Sequence, residues 1–373
     1  MTKNEKILSL LLILETFVIA ALISTIVYIR SYVNEQLKSN LKNSIQISNL
    51  EIEKSEKVDL TLNVSASLVW WDQDKGFESI KNNSKYLYSI SPFWYELTLN
   101  GSIEPFSGSC DKEIINFMKN NNIKILPTIS NEFRQEPLAS IISDESKKDK
   151  HIEEILTLAD NYDGISLNYE NLNAEDKENF TLFVADLSKE LHKDNKILSV
   201  HLHAKTEEPG TWNGPQAQDW EALGKSADKL KIMAYDYHWA TSEAGAIAPV
   251  KWVEEVILHA SDIIPKEKIY LGIPFYGYDW IEEIGEDVTY EKALTISSLF
   301  NTNLIFDDLT KSPHFSYIDS DKNNHEVWFE NSESTKAKLE IAKKYKIGGI
   351  DFWRLGGEDP KAWEEIGNIL KNN

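Results

Sequence analysis

The sequence predicts an α/β protein built as a (β/α)8 TIM barrel, and three observations predict it. Eight short apolar runs rich in β-branched and aromatic residues alternate with segments of helical character, the pattern of a parallel sheet covered by helices. The stretch that holds them, residues 61–373, has no long Pro/Gly linker and no internal repeat, so it reads as one domain of about 310 residues. Several of the runs end on polar or aromatic side chains, and a barrel of this kind gathers its strand ends at one mouth.

In chain order, residues 1–30 read as an N-terminal transmembrane signal anchor. Residues 7–29, "ILSLLLILETFVIAALISTIVYI", are apolar except for Glu15 and a few hydroxyls, long enough to cross a bilayer core of roughly 30 Å. Ala20 and Ala21 lie inside this run and not at its end. An uncleaved anchor is therefore expected, with the large C-terminal part exported; cleavage would make the protein secreted. Lys3 and Lys6 precede the run, but Arg30, Lys38 and Lys42 follow it and weaken the charge asymmetry that sets orientation. Residues 31–60, rich in Asn, Lys, Ser and Glu, read as a polar stalk.

The eight expected strands are "VSASLVWW", "YLYSISPFWY", "IKILPTI", "GISLNYE" ending at Glu170, "KILSVHLHA", "LKIMAYDY", "KIYLGIPFYG" and "IGGIDFW" ending at Trp353. Between the seventh and eighth, residues 278–332 contain short β-like pieces such as "HEVWFEN". They predict a small α+β insertion that walls one side of a groove.

The charge balance narrows the partners. With 60 Asp and Glu against 39 Lys and Arg, the formal charge is -21, which excludes nucleic acid, whose phosphates require a basic face, and disfavours an anionic membrane surface. Eleven Trp, 15 Tyr and 14 Phe supply flat apolar faces of the kind that grip sugar rings. Cys110 is the only cysteine, so no intrachain disulfide exists.

The run "YDGISLNYENL" carries the chemistry. Ile165, Leu167 and Tyr169 alternate with Ser166, Asn168 and Glu170, a period of two that places the polar set on one face of a strand. That face looks into the barrel, with Glu170 at the mouth. Asn173 and Asp176 follow as caps for the next helix, and a capping role for Glu170 is the competing reading. "MAYDYHW" brings Tyr235, Asp236, His238 and Trp239 to another strand end, and "DFWRLGGED" brings Trp353 to a third. Trp70, Trp71, Phe93, Trp94 and Trp239 divide between rim and core on equal terms. His201 and His203 alternate on one strand, but no HExxH motif or Cys cluster accompanies them, and no metal is expected.

From about residue 62 onward the chain resembles glycoside hydrolase family 18, the chitinase-like family. Asp163, Ser166, Asn168 and Glu170 stand at the four positions of its D-x-x-D-x-D-x-E motif, Met233 to Asp236 match its M-x-Y-D, and Trp353 matches the Trp that ends its eighth strand. "HAKTEEPGTWNGPQAQDW", "IMAYDYHW", "GIPFYGYDW" and "FWRLGGEDP" are similar to its bacterial branch that acts on cell-wall and spore-cortex peptidoglycan.

The resemblance implies hydrolysis, with retention, of β-1,4 bonds next to N-acetylglucosamine, the substrate's own acetamido oxygen serving as nucleophile. Glu170 is then the acid and base, Tyr235 a donor to the acetamido oxygen, Asn168 the acceptor of its N–H, and Trp353 the floor beneath the ring. Asp163, Ser166, Asp236 and Trp239 complete the expected substrate contacts, with a structural role in the barrel equally open for Asp163 and orientation of Tyr235 the alternative for Asp236. No cofactor is implied. Ser166 and Asn168 replace aspartates, and the amide at 168 offers no negative charge to a cationic intermediate. A slowed enzyme and a carbohydrate-binding protein on the same barrel are both compatible with that change. A wall-assembly scaffold relying on the anchor and stalk is a third reading.

Overall fold

The computed structural model describes residues 62–371. The expected anchor, residues 1–30, and stalk, 31–60, lie outside them. Among the described residues no helix is long and apolar enough to cross a membrane.

Fifteen strands run in order as β1 (Asn63–Val69), β2 (Ser89–Leu97), β3 (Ile103–Pro105), β4 (Lys124–Ile125), β5 (Thr128–Ser130), β6 (Gly164–Asn168), β7 (Ile197–His203), β8 (Lys229–Met233), β9 (Ile269–Pro274), β10 (Gly277–Ile281), β11 (Ile284–Val288), β12 (Ile305–Asp307), β13 (Ser312–Ile318), β14 (Asn324–Trp328) and β15 (Gly349–Trp353). Eight of the expected runs form the barrel. β1 pairs in parallel with both β2 and β15, and the circuit continues through β9, β8, β7, β6 and β5 back to β2. The third barrel strand is divided into β4 and β5 by Leu126 and Pro127, because proline has no N–H for the ladder.

Period-two alternation decides what each strand buries. Ile165 and Leu167 of β6, Leu198, Val200 and Leu202 of β7, and Leu230 and Ile232 of β8 are all buried in the layer shared with the helices. Helix Lys177–Lys193 meets them with Phe180, Phe183, Val184, Leu187 and Leu191, spaced three and four apart as an amphipathic helix requires. Each such fully buried side chain contributes about 1.5–3 kcal/mol.

The opposite face of the strands is polar. Ser65 and Ser89 share a 2.6 Å hydrogen bond, and Lys231 on β8 reaches across the barrel to donate to Ser91 on β2 at 2.7 Å. Lys231 also sits 2.8 Å from Asp351 on β15, both side chains almost wholly buried. A fully desolvated pair of this kind is costly to break, since the remaining charge has no partner.

The insertion lies where the sequence places it, between β9 and β15. β10 to β14 form an antiparallel sheet in the order β11-β10-β14-β13-β12, with helix Tyr290–Leu299 between β11 and β12. Val288, Ala293, Phe315, Val327 and Phe329 give it its own apolar cluster.

Candidate active site

The ladder of β6 stops at Asn168, two residues before the expected end of the strand. Tyr169 and Glu170 run on past it and are held by side chains. Tyr169 is buried on the outer face with its hydroxyl 2.8 Å from His151 Nε2. Asn131, after β5, clamps Glu170 by its backbone: Asn131 Nδ2 donates to the Glu170 carbonyl at 2.8 Å and its Oδ1 accepts the Glu170 N–H at 2.9 Å. The next helical turn is capped by a box between Asn173 and Asp176. Glu170 therefore has no capping duty, and its carboxyl faces the mouth.

Around that carboxyl, Asn168 Nδ2 donates to Oε1 at 2.8 Å, and His203 Nε2 lies 3.9 Å from Oε2. Burial lowers His203 to about 4, so the imidazole is neutral near pH 7. Burial raises the Glu170 pKa to about 7; the Asn168 hydrogen bond opposes this, while the charges of Asp236 and Glu132 add to it. A carboxyl at that value holds its proton for much of the neutral range and serves as either acid or base.

Two polar groups beside it have no hydrogen-bond partner among the described residues. Asn168 Oδ1 is buried and accepts no hydrogen bond, an arrangement that costs about 1–3 kcal/mol unless a ligand supplies a donor. The Tyr235 hydroxyl makes no hydrogen bond among the described residues, and burial and nearby carboxylates push its pKa well up, so it remains a donor. Gly272 makes room for the Tyr235 ring: a Cβ there would come within 3.0 Å of Tyr235 Cε1 and 2.4 Å of the Ile232 carbonyl. Asp236, in a left-handed conformation at φ 57°, accepts from the hydroxyls of Tyr276 and Tyr278. Loss of solvation raises its pKa, and the two tyrosines oppose the rise.

These groups line a cleft of about 790 Å3, together with Phe133, Asn171, His201, Trp212, Trp239, Trp252 and Trp353. That volume suits a saccharide segment, since small-molecule sites span about 300–1,000 Å3. A smaller cleft of about 230 Å3 adjoins it, sharing Asp236, Tyr278 and Trp353 and adding Trp71, Tyr276, Asp287 and Arg354.

Of the residues expected at the site, Glu170, Asn168, Tyr235, Asp236, Trp239 and Trp353 converge on the main cleft. Asp163 does not. It precedes β6, at the end of the strand opposite Glu170, where its carboxylate accepts the Ile125 N–H at 2.9 Å and lies 3.4 Å from Lys124 Nζ. Its position in the motif places it at the barrel bottom, and the expected substrate contact is corrected to a strand tie. Ser166 is wholly buried beneath the cleft, bonded at 3.0 Å to His201 Nε2; it supports the floor without lining it. Among the aromatics, Trp94 is core, while Trp71 and Trp239 are about half exposed.

Sequence reasoning missed Asn131, Phe133, Trp212, Tyr276, Tyr278 and Arg354, all in loops or on the insertion. One signal pointed to Trp212: Gly214 follows it, and a Cβ there would lie 2.3 Å from the Trp212 ring. The indole, half exposed and edge-on to His203 at 4.7 Å, depends on that glycine.

A family model described as "Glycosyl hydrolases family 18" matches residues 25–358. The glycosylase YvbX of Bacillus subtilis is 28% identical over 303 residues, covering 78% of this chain and 87% of its own length. The cortical fragment-lytic enzyme of the same organism is 27% identical, covering 77% and 68%. The crystal structure of the Bacillus cereus spore cortex-lytic enzyme SleL superposes with a TM-score of 0.77 at 25% identity, over 83% of this chain and 74% of that one. The chain belongs to glycosyl hydrolases family 18 and is a glycosidase.

Proposed function

We propose that the protein is a retaining, substrate-assisted glycosidase that cleaves β-1,4 bonds next to N-acetylglucosamine, with peptidoglycan as substrate and chitin-like glycans as the neutral alternative. One observation carries the reading: a carboxyl raised to about 7 stands beside a buried amide oxygen with no partner, in a cleft also lined by the Tyr235 hydroxyl. A 2-acetamido group answers both vacancies, its N–H donating to Asn168 Oδ1 and its carbonyl accepting from Tyr235.

In the first step Glu170 gives its proton to the glycosidic oxygen as that bond breaks, and the acetamido oxygen bonds to the anomeric carbon to form an oxazolinium ion. Tyr235 stabilises the oxygen as it becomes part of the ring, and Trp353 backs the distorted sugar. Glu170, now a carboxylate, takes a proton from water, which attacks the anomeric carbon and opens the oxazolinium. Two inversions give net retention. Asp236 Oδ1 accepts two phenolic hydrogen bonds, which draw charge from that oxygen.

The name of the B. subtilis relative, a cortical fragment-lytic enzyme, supports a wall glycan as substrate. A second reading, a carbohydrate-binding protein on this barrel, is favoured by the uncharged Ser166 and Asn168 at motif aspartate positions. Digestion of peptidoglycan and chitooligosaccharides followed by mass spectrometry decides between them. New reducing ends produced by the native protein and absent with Glu170→Gln are expected; tight binding without products from either protein overturns the enzyme reading. The apolar residues 7–29 support placement of the domain outside the cytoplasm on a membrane anchor. Recovery in the membrane fraction, with the barrel digested by protease added to intact cells, is the expected result.

A further inference from the structure

The smaller cleft contains a charge that the proposed reaction does not use. Arg354 follows β15, and Trp71 and Asp72 follow β1. Those two strands are neighbours in the barrel, so the three side chains meet at the rim beyond Trp353. Arg354 Nη1 donates to Asp72 Oδ2 at 2.7 Å, and the guanidinium lies 5.8 Å from the centre of the Trp71 ring. Its side chain is 14% exposed. Nε and Nη2 have no protein acceptor among the described residues, although guanidinium presents its donors as a fork matched to a carboxylate.

The surroundings isolate this cation. Among the described residues lining the two clefts, Arg354 is the only Lys or Arg, and burial depresses the pKa of both His201 and His203. Of the acidic groups near it, Asp72 is its own partner, Asp236 is capped by two tyrosine hydroxyls, and Asp287 is exposed to solvent. A protein with a formal charge of -21 thus places one half-satisfied guanidinium beside the ring site.

We propose that Arg354 reads a carboxylate on the sugar next to the N-acetylglucosamine over Trp353: the 3-O-lactyl arm of a muramic acid unit, or the peptide it carries. This rests on the function proposed above and deepens it. In a glycan where N-acetylglucosamine and N-acetylmuramic acid alternate, a glucosamine over Trp353 puts a lactyl-bearing ring on either side, whereas chitin offers only neutral hydroxyls there. Asp72 and Trp71 hold the guanidinium in place, so little side-chain freedom is lost on binding.

The test measures binding, separately from turnover. Full-length Glu170→Gln protein, with and without Arg354→Gln, is titrated calorimetrically with four probes: a peptide-free muroglycan tetrasaccharide, its carboxyl-reduced form, the peptide-bearing tetrasaccharide and chitotetraose. Arg354→Gln is expected to weaken a carboxylated probe by about tenfold or more and chitotetraose by less than about twofold, as for loss of a bidentate charged contact. Carboxyl reduction is expected to reproduce the loss on the unmutated cleft, which guards against misfolding of the variant. Selective loss on the peptide-free probe assigns the lactyl carboxylate, and selective loss on the peptide-bearing probe assigns the peptide. Equal weakening of chitotetraose, or no weakening of either carboxylated probe, overturns the proposal. Failure of the native protein to cleave any glycan overturns the hydrolase reading alone, because the binding preference is read independently.

Discussion

Replacing Asn168 by Asp changes the charge beside the acid without changing its shape. In the native protein Asn168 Nδ2 donates to Glu170 Oε1 at 2.8 Å, which favours the carboxylate and restrains the rise produced by burial. Asn168→Asp removes that donor and installs a second carboxyl in its place. Two unit charges about 4 Å apart interact by about 4 kcal/mol at an effective dielectric of about 20, which corresponds to roughly three pKa units. The pair then titrates as a unit and keeps one proton through neutrality. Glu170 acts first as an acid, so kcat/KM of the native protein falls as pH rises through about 7. In the variant this alkaline limb moves upward by at least about one unit, allowing for relaxation, and a second ionisation appears on the acid side. The aspartate also faces the cationic intermediate, so the plateau rate rises, by as much as about 10²- to 10³-fold if the native amide forfeits a full electrostatic contact. The assay is kcat/KM against pH on a soluble glycan. A limb that stays where it was, or moves to lower pH, refutes the assignment of Glu170 as the titrating acid.

Glu170→Gln should make the protein more stable in alkali while abolishing cleavage. The folded-state pKa of about 7 lies above the ordinary glutamate value of 4.5, so the native protein loses stability as pH rises from the lower value through the higher one, and Gln does not. The gain in chemical denaturation is near zero below the unfolded pKa and reaches about 3 kcal/mol at most above pH 7. Asp236→Asn removes a charge that raises Glu170, and the alkaline limb of its rate profile should move to lower pH. Tyr235→Phe should lower kcat by about 10²- to 10³-fold with little change in KM, if its donor acts chiefly in the transition state. Lys231→Met leaves Asp351 buried without its partner and should cost about 3–5 kcal/mol in equilibrium unfolding.

The barrel was legible because its strands keep strict alternation. Every second residue of "GISLNYE" is buried against helices, and a one-residue slip would exchange the entire set. Strand ends were less legible: Tyr169 and Glu170 look like strand in the sequence, but their backbone groups go to side chains and turns once the neighbouring strands fall short. Motif spacing pointed to Glu170, Asn168 and Tyr235, which line the cleft at or just beyond the ends of β6 and β8. It left two roles open for Asp163, and the contacts at the opposite end of β6 from Glu170 fit the structural one. Tyr276, Tyr278, Phe133, Trp212 and Arg354 lie beyond strand ends or on the insertion, where no periodicity marks which way a side chain turns. The Asn173–Asp176 cap was readable because its hydrogen bonds are local.

The inward face of the strands, made of Ser65, Ser67, Ser89, Ser91, Ser166 and Ser199 with the Lys231–Asp351 pair, separates two jobs. Most cohesion resides in the oily sleeve between staves and helices, whereas the hollow is filled with hydrophilic groups, mostly small, among which the Lys231–Asp351 pair is the one that is costly to break. Exchanges such as serine or amide for aspartate in that hollow leave the sleeve intact. The scaffold is therefore free to retune the chemistry at its mouth while holding its shape.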